Sequence, residues 1–150
     1  MAPIRIALVF AFLLAGGCIQ GQPEKAPVLE RGLAAGVIDG DTIALESGQR
    51  VRLIGIDTPE KGMPCWEEAK NRLQGLVFGK QLILKRDISE TDKYGRLVRY
   101  VYANGTLVNL ALVQQGLALA YDFEPDTALK GVFHAAEERA KAEKVGCLWK

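Results

Sequence analysis

Residues 33–56 read LAAGVIDGDTIALESGQRVRLIGI. Three short β-leaning runs stand in this stretch: Leu33–Ile38, Thr42–Leu45 and Val51–Ile56. Asp39-Gly40-Asp41 and Glu46-Ser47-Gly48-Gln49 separate them, and such punctuation between apolar runs marks tight turns. Two turns so close together predict a meander of antiparallel strands. Downstream the period changes. Within Cys65–Phe78, Ala69, Leu73, Leu76 and Val77 recur at helical spacing, and Glu68 is placed to pair with Arg72 on the outer face. Gln81–Arg86 and Leu97–Ala103 read as two more strands. Asn104-Gly105 is a turn, Thr106 a cap for a helix over Leu107–Gln115, and Gly116 its stop. Leu117–Tyr121 is short and apolar enough to close a sheet. A last helix is expected to start at Asp126 or Thr127, to carry Leu129, Val132, Phe133, Ala136 and Ala140 on one face, and to stop at Gly146. Strands clustered early and three helices make an α+β protein. A small closed or nearly closed barrel is the economical way to remove its sheet edges.

Composition narrows the chemistry. The chain has 150 residues, 49% hydrophobic and 25% charged, with a net charge of +1, which suits one globular domain. Three cysteines are too few for a disulfide mini-scaffold or a four-thiolate zinc site. His134 is the single histidine, and Ser47 and Ser89 are the only serines. Mechanisms built on histidine clusters are therefore excluded, and carboxylates, arginines and a hard metal remain.

The N-terminus reads as an address. Arg5, the apolar run Ile6–Ala15 and Gly16-Gly17 form a secretory signal over residues 1–17, shorter than the roughly 20 residues a membrane span needs. Leu13–Cys18 resembles a bacterial lipoprotein signal in which Cys18 becomes lipidated, although Ala15 stands where leucine is usual and Ala15-x-Gly17 also suits an ordinary signal peptidase. Several acyl chains on one residue would anchor the chain to a membrane, since single chains bind marginally. Residues 18–32, rich in Gln, Pro, Gly and charge, read as a flexible tether, so the folded domain is expected over 33–150.

Three clusters carry candidate chemistry. Asp39-Gly40-Asp41-Thr42 sets two carboxylates about a glycine, as a plain hairpin turn also does. In Arg52–Glu60 (RLIGIDTPE), Arg52 shares strand parity with Ile54 and Ile56, so a fixed charge points where apolar residues point. A buried charge costs several kcal/mol unless it is paired, so Arg52 needs either an ion pair or an anion to bind. Asp57 ends that strand, Thr58 is held extended by Pro59, and Glu60 follows; the group is ligand-like or a polar loop. The third cluster, Asp92-Lys93-Tyr94-Gly95-Arg96, lies within Lys80–Arg99, where six basic residues face three acidic ones. An aromatic side chain among cations can stack on a base while the cations hold phosphates, though a solvated turn has the same composition. Together the clusters offer what attack on a phosphate diester needs. Guanidinium forks match phosphoryl oxygens, carboxylates hold a hard cation, and a glutamate can activate water.

These motifs, with Val108–Ala118 (VNLALVQQGLA), resemble in order and spacing the staphylococcal-nuclease-like (thermonuclease) family from about Gly36 to Trp149. The resemblance implies an OB-fold five-stranded β-barrel with three α-helices, and a calcium-dependent nuclease that hydrolyses phosphodiester bonds of DNA and RNA with little sequence specificity. The alternative on the same barrel is a non-catalytic nucleic-acid-binding module. By position, Asp41 and Asp57 would ligate Ca²⁺ with the Thr58 carbonyl, and Asp39 would sit in the outer shell. Arg52 and Arg96 would clamp the scissile phosphate, and Glu60 would be the general base or would position the water. Lys93, Tyr94 and Tyr121 would contact substrate. The sequence departs from the family pattern at Phe123, where a second tyrosine is common, and in the shorter segment Lys61–Cys65. Few oxygen ligands suit a flexible Ca²⁺ shell of low affinity, which is useful outside the cytoplasm.

With Cys18 lipidated, Cys65 and Cys147 remain as an even pair, either a disulfide staple or two unrelated small residues. His134 reads as a surface or boundary residue, and Trp66 and Trp149 as packing anchors at helix ends. The expected molecule is an exported monomer, tethered by lipid to the bacterial cell envelope or else secreted or periplasmic, acting on DNA and RNA.

Overall fold

Strand β1 (Leu29–Asp39) serves two neighbours in a computed structural model that describes residues 29–150. The expected signal at 1–17, Cys18 and the first part of the tether lie outside the described residues. Leu29–Leu33 pair antiparallel with β5 (Gln81–Lys85), and Ala34–Asp39 pair with β2 (Thr42–Leu45). Register shifts at Ala34/Gly36 and Val37/Asp39 bend the strand between its partners, as bulges do. β2 pairs with β3 (Arg50–Leu53), and β5 with β6 (Leu97–Ala103). A parallel pairing of β3 with β6 closes the ring as a five-stranded barrel. The short β7 (Thr106–Leu107) adds to β6, and β4 (Ile56–Asp57) pairs separately with β8 (Leu119–Ala120). Helices α1 (Trp66–Val77), α2 (Val108–Gln114) and α3 (Lys130–Ala142) complete the α+β fold expected from the sequence.

Alternation explains the barrel lining. Leu82 and Leu84 point inward from β5 between exposed neighbours. β6 has the barrel interior on one side and α2 on the other, so both its faces are buried and no alternation shows. Leu73 and Val77 of α1, Leu112 of α2 and Phe133 of α3 join the same core. Asn109, fully buried at the start of α2, knots this region: its Oδ1 accepts from Val101 N, and its Nδ2 donates to Ile54 O and Arg99 O.

Several local expectations give way to tertiary contacts. Residues 29–32, expected as tether, belong to β1: Leu29–Gly32 form ladder bonds with β5 and Glu30 pairs with Arg99. Arg99 is 0% exposed, and its guanidinium is met by Glu30, by Glu90 and by the Val98 carbonyl. Val51–Ile56 is not one strand, since a turn at Ile54-Gly55 divides β3 from β4. Thr106 does not cap α2; it pairs in β7, and Leu107 occupies the N-cap without a side-chain bond. Likewise Leu129 is the N-cap of α3, while the buried Asp126 accepts the backbone N–H groups of Ile88 and Ser89. Arg72 donates to Gln115 on α2's C-terminal side rather than pairing with Glu68. Val132 is exposed, whereas Glu137 turns inward and accepts from Ala120 N.

Removing Glu30 takes one of two carboxylates from the fully buried Arg99 guanidinium, and truncation also removes the ladder bonds of Leu29–Gly32. A chain starting at Leu33 should therefore unfold at clearly lower urea than one starting at Leu29, and Glu30→Ala in the longer chain should account for part of the difference. Equal midpoints for the two chains would show that Leu29–Gly32 contribute nothing.

Candidate functional site

Strand register assembles the site. β2 and β3 place Thr42 directly across from Arg52, and β3 and β6 place Val51 beside Leu97, so Arg96 arrives next to the same ladder. Asp41 immediately precedes Thr42, and its carbonyl accepts from Leu53 N at 2.9 Å. The Asp39-Gly40-Asp41 turn is more than a reversal. A Cβ on Gly40 would lie 2.6 Å from Thr58 Oγ1, so only glycine lets the β1–β2 turn press against the segment after β4. That approach lets Asp41 Oδ2 accept from both Thr58 N (3.2 Å) and Thr58 Oγ1 (3.1 Å).

Arg52 lies at the centre, only 7% exposed. One guanidinium nitrogen, Nη2, lies 3.1 Å from Asp41 Oδ2 and 3.1 Å from Asp57 Oδ1, while Nη1 donates to Leu53 O at 2.8 Å. The buried charge inferred from strand parity is thus paired twice. Arg96 reaches the same unit from the other side: its Nε donates to Asp92 Oδ2 at 2.6 Å, and its Nη1 donates to Thr42 Oγ1 at 3.4 Å. Thr42 Oγ1 in turn donates to Asp41 Oδ1 at 3.1 Å. The chain of contacts from Arg52 through Asp41 and Thr42 to Arg96 is continuous.

Two hollows flank this centre. One, of about 330 Å³, is lined by Asp92, Lys93, Tyr94, Arg96 and Phe123. The Tyr94 ring carries Lys93 Nζ at 5.0 Å and Arg96 Cζ at 5.3 Å from its centroid, which leaves an exposed aromatic between two cations. Tyr121 follows β8 and stands edge-on to Phe123, with centroids 6.2 Å apart. The other hollow, of about 370 Å³, contains Asp57, Thr58 and the exposed Glu60, with Met63, Leu119 and Leu148 among its walls.

Thr42 and Asp92 stand in clusters singled out from the sequence, which gave neither a role of its own. Asp92 shapes the third cluster as an Asx turn, accepting from Tyr94 N and Arg96 N while holding the Arg96 side chain. The i, i+4 spacing of Asp92 and Arg96 was the available signal. Cys65 and Cys147 form a disulfide with a Cα–Cα distance of 5.7 Å. His134 pairs with Asp122 at 2.8 Å on an exposed face.

The electrostatics differ at the two ends of the site. Burial pushes the Asp41 carboxyl up to about 6; Arg52 pulls it down, and Asp39 adds to the rise. Burial also raises Asp92, but hydrogen bonds from the Arg96 side chain and from the Arg96 and Tyr94 backbone outweigh it, so this carboxyl titrates below its ordinary value. Asp41 is thus an anion short of compensation, and Asp92 an anion already satisfied.

The closed five-stranded barrel with three helices is a domain of OB type. A family described as staphylococcal nuclease homologues matches residues 50–150. A thermonuclease of Staphylococcus intermedius is 30% identical over 156 aligned positions, covering 96% of this chain and 90% of that protein. Endonuclease YncB of Bacillus subtilis strain 168 is 39% identical over 123, covering 75% of this chain and 58% of that protein. Protein ParB of Escherichia coli is 37% identical over 131, covering 79% and 72% respectively. The chain belongs to the staphylococcal nuclease homologues, hydrolases of phosphodiester bonds.

Because Asp41's folded value lies above the ordinary 3.8, the fold favours the neutral carboxyl. This group's contribution to stability is full below about pH 4 and is lost as pH rises through about 6. Without added divalent cation, urea midpoints of the wild type should fall over that window relative to those of Asp41→Asn, which cannot titrate there. Parallel profiles for the two proteins would contradict the assignment.

Proposed function

We propose that this chain is an exported, calcium-dependent nuclease that hydrolyses DNA and RNA with little sequence preference. The observation that carries this reading is the continuous Arg52–Asp41–Thr42–Arg96 unit with Asp57 on its flank. Among the described residues no three carboxylate, histidine or cysteine side chains converge as a ready metal cage. The donors nonetheless fit a hard cation: Asp41 is a buried carboxylate with its charge only partly offset, and Asp57 keeps 51% of its side chain exposed. Asp41, Asp57 and the Thr58 carbonyl would hold the ion, with water and substrate completing a shell of low ligand charge, which favours Ca²⁺ over Mg²⁺. Such an ion offsets phosphate charge and lowers the pKa of a bound water.

The protein's own groups supply the rest. Arg52 and Arg96 offer forked donors to the non-bridging oxygens as charge grows on the phosphorane. Arg52 is set in place by Leu53 O and Arg96 by Asp92, so neither has to be ordered at the moment of reaction. Glu60, exposed on the loop beyond Thr58, takes a proton from the attacking water; the phosphorus–oxygen ester bond breaks, and the departing alkoxide takes a proton from solvent. Lys93 and Tyr94 hold a neighbouring phosphate and base. Export through the signal at 1–17, with lipidation of Cys18, would place the enzyme where calcium is plentiful.

Purified residues 29–150 should digest single-stranded DNA and RNA with calcium and stop when a chelator is added. Arg52→Ala and Arg96→Ala should each cost about 10²–10³ in rate. Glu60→Gln should cost about 10²–10⁴ if it is the base. DNA retained without cleavage under these conditions would make the chain a binding module instead. In cells, a labelled fatty acid should attach to the wild-type chain and not to Cys18→Ala.

A further inference from the structure

The hollow on the Glu60 side is bounded by two segments that are pinned from behind. One wall is the loop Pro59–Pro64, whose Met63 N donates to Glu60 O at 2.9 Å and which ends at Cys65, held at a left-handed φ of 70°. The other wall includes Leu148, from the C-terminal strap that follows α3. That strap is fixed against the end of α2. A Cβ on Gly116 would lie 1.9 Å from Val145 O, and one on Gly146 would lie 2.1 Å from Gln115 O, so the two backbones touch. Leu148 N donates to Gly116 O at 3.2 Å. The Cys65–Cys147 bond then ties loop to strap, joining positions 82 residues apart that are chain neighbours of the lining residues Pro64 and Leu148. Residues 60–64 are exposed, so the loop has little burial of its own to hold it.

Everything about this hollow suits a flat, partly apolar group. Met63, Pro64, Leu119 and Leu148 provide the walls, while Asp57, Thr58 and Glu60 place it directly against the phosphate centre. A polymer whose phosphate lies between Arg52 and Arg96 must continue to both sides, and the Tyr94 hollow takes only one. We propose that the disulfide-clamped hollow binds the nucleoside on the side of the scissile phosphate away from Tyr94, which makes Cys65 and Cys147 positioning residues for that subsite. This deepens the nuclease reading and rests on it.

The test compares thymidylyl-thymidine with the two methyl diesters of thymidine phosphate, 3′ and 5′, in which one nucleoside is replaced by methyl. Met63→Ser alters a side chain that is 60% exposed, so folding is spared. It should raise KM for the dinucleotide about 5–10-fold while leaving KM unchanged for the better methyl diester, which fills only the Tyr94 side. The Cys65→Ser/Cys147→Ser double variant should show the same split in KM, together with a lower kcat on both substrates because Glu60 shares the loop. Equal KM changes on dinucleotide and methyl diester, or none on either, would overturn the subsite while leaving the nuclease intact. A wild-type protein that cleaves nothing with calcium would overturn the nuclease reading itself.

Discussion

A guanidinium taken out of water is the constraint around which the rest is arranged. Arg52 can stay buried only if its donors are met, and Asp41, Asp57 and Leu53 O meet them from three places in the chain. Each of those places is fixed by something else. The glycine at position 40 admits Thr58, Thr58 orients Asp41, and β8 holds β4 and therefore Asp57. Satisfying one charge thus fixes the relation between the β1–β2 turn, the end of β3 and the segment after β4. The same demand explains why Asp41 is left with an elevated pKa. Burial beside Arg52 raises it first, Arg52 pulls it back only in part, and Asp39 adds to the rise.

The two candidate phosphate-binding arginines are held differently. Arg52 is embedded and doubly paired, whereas Arg96 rides on a surface turn that Asp92 closes. Thr42 bridges the fixed donor and the more exposed one. Arg99, one strand position on from Val98, shows the contrast. It is equally basic, but Glu30 and Glu90 saturate it, and it serves the barrel alone.

Much of this was readable from the chain. The DGD and ESGQ punctuation gave the meander; the parity of Arg52 with Ile54 and Ile56 pointed to a buried charge, although the turn at Ile54-Gly55 ends that strand and Arg52 alternates with the core residues Val51 and Leu53. What escaped depends on partners remote in sequence. Leu29–Gly32 look like spacer because the strand that completes them begins at Gln81, about fifty residues later. Thr106 and Asp126 have the composition of helix caps, yet a β ladder claims one and the N–H groups of Ile88 and Ser89 claim the other. Glu137 falls between Phe133 and Ala140 on the buried face of α3, a place its charge argues against, and there its carboxylate accepts from Ala120 N. Gly40's role likewise lies in the contact with Thr58, which no local pattern encodes.

Parallel pairing of β3 with β6 has a consequence for the centre. Arg52 and Arg96 stand 44 positions apart along the chain and meet Asp41–Thr42 together only where those two strands lie side by side. That one ladder is therefore the seam of the centre: a change that loosens it separates Arg96 from Arg52 even where each strand keeps its other partner.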